Sequence, residues 1–270
     1  DPPNVIIGSA ANLSFMDFVR ELTGVVLVIM VVVIALMVFI YRKELKSSAE
    51  KMELVSQIDN SSTITDMGLA IRAGVVLLLV ILGFITHDIT HIPTFLIAMM
   101  GASVLMIFEK PAEILVEVEW NTIFFFVGLF IIIGGLEASG GIALMAKWLL
   151  DVTQGSQAAT SMIILWASGI LSGIIDNIPY TATMAPMIGA IEDSMGHVYA
   201  HPLWWSLALG ACLGGNMTII GAAANVIVSE NAHKAGYPIS FLKFLKYGII
   251  VTIISLSIST VYVYFRFLVK

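Results

Sequence analysis

The side chains able to do chemistry gather at two polar interruptions in an otherwise apolar chain. The first is Asp176-Asn177-Ile178-Pro179, with Thr181 just beyond it. The second is Gly214-Gly215-Asn216-Met217-Thr218, followed by Gly221 and Asn225. Each ends one helical stretch and starts another, near Ile175 and Pro179 in the first and near Leu213 and Ala222 in the second. A helix start offers free N–H groups and about half a positive charge; a helix end offers free carbonyls and about half a negative one. The two starts suit an anion or oxyanion, and the two ends suit Na⁺ or a proton-carrying group. Asn177, Thr181, Asn216, Thr218 and Asn225 add neutral donors and acceptors, while Gly214, Gly215 and Gly221 permit unusual dihedrals and close approach. Asp176 stands out. An ionised carboxylate at membrane depth costs at least ~2.5–3.5 kcal/mol, which points to ion or proton traffic through it. The same residues admit a plainer reading. Asn177 is then an N-cap, Pro179 an early helical proline, Asp176 a carboxylate held by local N–H groups, and the glycines packing contacts. Two breaks sharing polar residues favour a site.

The elements that must hold these residues are membrane helices. Hydrophobic residues make up 59% of the 270, and charged residues 12%, about half the share of an ordinary soluble domain. Mean hydropathy is +0.97, so water is not the main solvent. Solid apolar runs such as Val25–Ile40 exclude the alternation of a membrane β-barrel. Spans are expected at about residues 21–41, 67–86, 92–108, 121–136 and 244–267. Arg42–Asp66, carrying Lys43, Glu44, Lys46, Glu50, Lys51 and Glu53, reads as a solvated linker, and Glu109–Glu119 as a charged connector. The segment 142–152 is too short to cross and has Lys147 and Asp151 opposite Leu144, Trp148 and Leu149, as an interfacial helix would. Around the two breaks the pieces 158–175, 180–191, 202–213 and 222–233 each read as roughly half a span. Irregular backbone at membrane depth survives only when buried in protein or lining a cavity.

Placing Arg42, Lys43, Lys46, Lys51, Arg72, Lys110, Lys234, Lys243 and Lys246 inside leaves Arg20, Lys147, Arg266 and Lys270 outside. That assignment works only if residues 158–191 enter and leave from the outer side as a re-entrant hairpin. Asn4-Val5-Ile6-Ile7 recurs as Asn225-Val226-Ile227-Val228, and Ser14-Phe15-Met16-Asp17-Phe18 as Ser240-Phe241-Leu242-Lys243-Phe244. Each copy enters a long span, and the two spans run in opposite directions, which is the pattern of an inverted repeat. The expected fold is therefore an all-α, multi-span helical bundle with inverted repeats, a re-entrant hairpin and a broken helix. Residues 1–66 would close the first repeat and 67–270 would form the second. The chain opens Asp1-Pro2-Pro3-Asn4, without an initiator Met, and is expected to be the C-terminal part of a longer protein.

Other residues offer less. His87 and His91 have metal-ligand spacing around Asp88 but lack a third ligand, and read as loop residues. Glu137 reads as an interface residue and His197 and His201 as solvated. Trp120, Trp148, Trp204 and Trp205 fit aromatic belts. The single Cys212 rules out an intrachain disulfide and reads as a small buried hydrophobe. No basic run suggests nucleic acid, and no nucleophile–base pair, paired aspartates or metal set lies at membrane depth, which argues against an enzyme.

The run from Gly214 to Asn225 resembles the signature loop of the ArsB/NhaD permeases. Ser172-Gly173-Ile174-Ile175-Asp176-Asn177-Ile178-Pro179-Tyr180-Thr181-Ala182 is similar to their hairpin-tip motif, and the opening through Asn4 to the end of the first-repeat counterpart. Those permeases belong to an ion-transporter superfamily with arsenite, citrate and dicarboxylate carriers and sodium/proton antiporters. The resemblance implies re-entrant hairpins and broken helices, often a homodimer, in a multi-pass plasma-membrane protein surrounded by lipid. It implies secondary transport of a small inorganic or organic anion, arsenite- or carboxylate-like, with Na⁺ or H⁺ as coupling ion and no other cofactor. A sodium/proton antiporter is the alternative, because Asp176 repels an anion; a channel is the reading from another class.

Overall fold

The computed structural model describes residues 2–45, 66–108, 111–116 and 118–269. Asp1, Lys46, Glu50, Lys51, Glu53, Glu109, Lys110 and Lys270, used in the readings above, lie outside the described residues. Every regular element among those described is helical: α1 Pro2–Ala11, α2 Phe15–Tyr41, α3 Met67–Ile85, α4 Thr94–Phe108, α5 Trp120–Ala138, α6 Gly141–Val152, α7 Gln157–Ile175, α8 Asn177–Met195, α9 His197–Gly214, α10 Ala223–Lys234 and α11 Phe241–Val263, with single turns at His87–Thr90 and Pro111–Val116 and a π turn at Tyr264–Leu268. Five helices are long and apolar enough to cross a bilayer: α2, α3, α5, α7 and α11 with its π turn. The protein is an all-α, multi-pass integral membrane protein.

Caps explain several starts. The Ser14 hydroxyl accepts from the Asp17 N–H at 3.2 Å while the Asp17 carboxylate accepts from the Ser14 N–H at 2.8 Å, a reciprocal capping box that opens α2. Ser240 caps α11 through the Lys243 N–H, and Asp66 caps α3 through Leu69. A 10-residue helix thus precedes a Ser-capped 27-residue helix near the start of the chain. A 12-residue helix precedes a Ser-capped 23-residue helix near its end.

The chain divides into two compact units, with α2 contributing to both. Within the unit containing residues 34–120, α3 pairs with α4. Gly83 faces Ile97 and Gly101 faces Val80. The span expected at 92–108 is shorter than read. Pro93 disfavours helical geometry at Ile92, His91 is left-handed at φ 54°, and α4 keeps 15 residues, about 22 Å.

In the unit containing residues 121–270, α7 lies along α9, and α1, α6 and α9 pack on α8. The α7–α9 approach is close because glycines face it: a Cβ on Gly210 would sit 2.5 Å from the Leu165 carbonyl, and one on Gly173 2.6 Å from that of Gly214. In lipid, where apolar surface alone does not drive helices together, such small residues allow dispersion contacts to do so. The expected half-length pieces are only partly right. α7 and α8 have 19 residues each and α9 has 18, about 27–29 Å, close to a hydrocarbon core; α10 alone is short. In α6, Leu144 and Trp148 are exposed, but Leu149 is buried with Ile142 and Ala146, on the face that meets α8 rather than with the apolar pair.

Candidate functional site

The two breaks meet. Asp176 ends α7 and caps α8 at φ 117°, a conformation that costs of order 1–3 kcal/mol for a residue with a Cβ. Its N–H donates to the Ser172 carbonyl at 3.2 Å. Its Oδ1 accepts from the Ile178 N–H at 2.8 Å, and its Oδ2 has no partner among the described residues. The second break runs from α9 through two 3₁₀ turns, Gly215–Met217 and Ile219–Gly221, into α10. Asn177, 6% exposed, holds its amide nitrogen 3.1 Å from where a Gly215 Cβ would stand. The hairpin tip therefore rests on the start of the second break, and a side chain at Gly215 would part them.

Two side chains fix the irregular backbone. The Thr218 hydroxyl donates to the Gly173 carbonyl of α7 at 2.6 Å. The Asn225 amide donates to the carbonyls of Gly215 at 2.9 Å and Thr218 at 3.0 Å, so it closes the loop on itself. These bonds satisfy groups that interrupted helices leave orphaned. Gly221 completes the contact, packed on Gly173 and the Gly215 carbonyl. Asn177, Gly215, Thr218, Gly221 and Asn225 thus converge.

The remaining expected residues separate from that cluster. Thr181 is fully buried and donates to the Asn177 carbonyl of its own helix at 2.7 Å, so its hydroxyl is already engaged there. Gly214 packs on Gly169 and Ser172 of α7. Asn216 is exposed, and its carbonyl abuts Gly248 of α11. Pro179 sits in the first turn of α8, its carbonyl accepting from Thr183 at 2.9 Å. Asn4 lies on α1, where Cys212 donates to its Oδ1 at 3.6 Å.

Asp176 also changes the electrostatics expected of the tip. Its carboxylate occupies the N-terminus of α8, and Pro179 has no N–H, so this helix start is largely spent. The start of α10, by contrast, has no side-chain cap. One end is thus carboxylate-bearing and the other open to an anion. The glycines of α7 and Gly248 on α11, which hold the neighbouring backbones this close, were missed; the spacing Gly169-x-x-x-Gly173 beside Gly210-x-x-x-Gly214 was the signal that could have found them.

Several surface readings need correction. Trp204 and Trp205 are 1% exposed each, because Trp204 donates to Glu192 at 2.8 Å and Trp205 to His201 at 3.2 Å. His201 is half-buried, its ring beside Trp205 and Phe267, and exposed His197 pairs with Glu192. Trp120 and Trp148 are exposed. Glu137 and Asp193 line a cavity of about 360 Å³ with Trp204, Pro186 and Ile142. His87 Nδ1 lies 2.6 Å from the Ile92 carbonyl.

Comparison with known proteins gives one family and several relatives. Residues 1–210 match the family described as citrate transporter. An uncharacterized transporter of Mycobacterium tuberculosis (strain CDC 1551 / Oshkosh) is 41% identical over 272 residues, covering 100% of this chain and 63% of that protein. The 46 kDa membrane protein of Mycobacterium leprae is 40% identical over 272 residues, with the same two shares. The P protein of Sus scrofa is 35% identical over 220 residues, covering 77% of this chain and 26% of that protein. The chain spans about 63% of the length of the mycobacterial relatives. No solved structure matches it.

Proposed function

Because the chain belongs to the citrate transporter family, we propose that it carries a small anion, carboxylate- or arsenite-like, across the plasma membrane by alternating access, coupled to H⁺ or Na⁺. The observation that carries this reading is the meeting of two interrupted helices, with Asn177 resting at Gly215 and Thr218 tied to Gly173. Neutral amides, carbonyls and an uncapped helix start give a solute polar partners within apolar surroundings. The uncapped start of α10 is the anion-facing end. Asp176, with one carboxylate oxygen unengaged, carries the coupling ion or proton.

On this reading α7 and α8 form a re-entrant hairpin. The two Ser-capped long helices, each preceded by a short helix, are the corresponding parts of inverted repeats. The working unit is a homodimer of ArsB/NhaD type that acts as a carrier, not as an enzyme. Asp176 favours one second reading, a sodium/proton antiporter, since a carboxylate at the tip attracts cations. Full-length protein in proteoliposomes separates them. Citrate or arsenite uptake that responds to an imposed pH or Na⁺ gradient supports the anion carrier. Na⁺-driven proton movement without solute supports the antiporter, and uncoupled ohmic current would refute both.

A further inference from the structure

Glu192, in the last turn of α8, holds two donors from α9. His197 Nδ1 lies 2.7 Å from one carboxylate oxygen, and the Trp204 Nε1–H donates to the other at 2.8 Å. The Glu192 and His197 side chains are 27% and 63% exposed, whereas Trp204 is 1% exposed. One carboxylate therefore joins a solvent-reached donor to a buried one, across the Gly196 turn at φ 87°. α8 starts at the hairpin tip and α9 ends at the second break, so the bridge ties the far ends of the two helices whose near ends build the candidate site.

The other charged or titratable groups on elements around this end are few. Asp193 follows on α8, and Tyr199 and His201 lie on α9. Lys147 and Asp151 belong to α6, Glu137 lines the cavity shared by Asp193 and Trp204, and Arg266 adjoins Phe267, which touches His201. α1 and α7 bring none. His201 differs from His197 in kind. Its Nε2 accepts from Trp205, whereas His197 Nδ1 meets Glu192.

We infer that Glu192 and His197 form an acid-tightened latch between α8 and α9. Imidazole is the side chain whose charge changes within the physiological pH range. Its protonation converts the hydrogen bond to Glu192 into an ion pair, and a charge-assisted bond is the stronger one. Burial pushes the Glu192 carboxyl up, but the hydrogen bonds from His197 and Trp204 outweigh it and hold that group below the ordinary carboxylate range. It therefore stays ionised across the physiological pH range. The latch binds the hairpin arm to α9 more firmly as the medium on that side acidifies, whichever solute is carried.

The test is hydrogen exchange of full-length protein in lipid nanodiscs at pH 6 and pH 8, corrected for intrinsic rates. The reporting amides are those around the turn, including Gly196, which donates to the Glu192 carbonyl at 2.8 Å. Wild type should show roughly two- to fivefold greater protection at pH 6, the scale of a partly exposed pair. H197N and E192Q should lose that pH dependence, and D193N should keep it. Equal protection at both pH values in wild type, a retained rise in H197N or E192Q, or its loss in D193N would each overturn the assignment.

Discussion

Replacing Thr218 with valine removes one hydroxyl, nearly preserves side-chain shape, and so isolates the bond that joins the second break to α7. That hydroxyl donates to the Gly173 carbonyl at 2.6 Å, and Thr218 is 4% exposed. Gly173 lies two residues before the end of α7, so its carbonyl is among those a helix cannot satisfy from within. Leaving a buried acceptor unpaired costs about 1–3 kcal/mol, whereas interhelical hydrogen bonds in lipid average about 0.6 kcal/mol. The short distance, the burial and the helix-end acceptor put this one at about 1–2 kcal/mol. A loss of that size lowers the melting temperature by about 2–6 °C. Thermal melts of purified full-length protein, paired with proteoliposome uptake, check both stability and function. T218V should melt lower and transport poorly, while T218S, which keeps the donor, should track wild type in both assays. Equal melting temperatures for T218V and T218S would show that the bond does not hold the break to the hairpin.

Three further substitutions probe the neighbouring contacts. G173A should lose roughly 1–3 kcal/mol by overpacking, because its Cβ would press on the Gly214 carbonyl and the Met217 side chain; G189A, whose Cβ meets nothing within 4 Å, should be silent in the same melt. D176N keeps an N-cap acceptor for Ile178 on a side chain of the same shape. It should melt within ~0.5 kcal/mol of wild type yet abolish coupled uptake, and normal uptake with normal pH dependence would remove Asp176 from the ion path. For Glu192 the folded-state pKa is depressed, so its stabilisation is fully present above the ordinary glutamate value of about 4.3 and is lost as pH falls through the lower folded value. Below about pH 6 the gap in melting temperature between wild type and E192Q should therefore shrink as pH falls and close below about pH 4; a gap that widens between about pH 6 and pH 3 would reverse the sign of this reasoning.

Much of the fold was legible because lipid enforces a simple rule. Apolar runs with no water to bond their backbones must be helical, and α2, α3, α5 and α11 follow from that. The two breaks were legible for the complementary reason, since Asp176-Asn177-Ile178-Pro179 and Gly214-Gly215-Asn216 interrupt such runs with residues lipid disfavours. Lengths were less legible. Asn177 opens α8, and Glu192 and Asp193 fall inside it, so hydropathy, reading 180–191, began that helix late and ended it early, and Pro93 cut α4 short where hydropathy ran on. The fates of single polar groups were not legible. Thr181 and Thr218 look alike as hydroxyls beside a break, yet one bonds its own helix and the other reaches a residue 45 positions away. Trp204 and Trp205 look like belt residues until Glu192 and His201 take their N–H groups.

Composition and pattern by themselves determined that this chain lives in a membrane, that it is helical, and where its helices break. Those outcomes depend on how each segment meets its solvent, which the residues of that segment decide. Only the tertiary structure decided that Thr218 bonds the Gly173 carbonyl and that Asn177 rests at Gly215. A hydrogen bond depends on which groups meet at about 3 Å, and that is set by the packing of glycine-lined helices far apart in the chain.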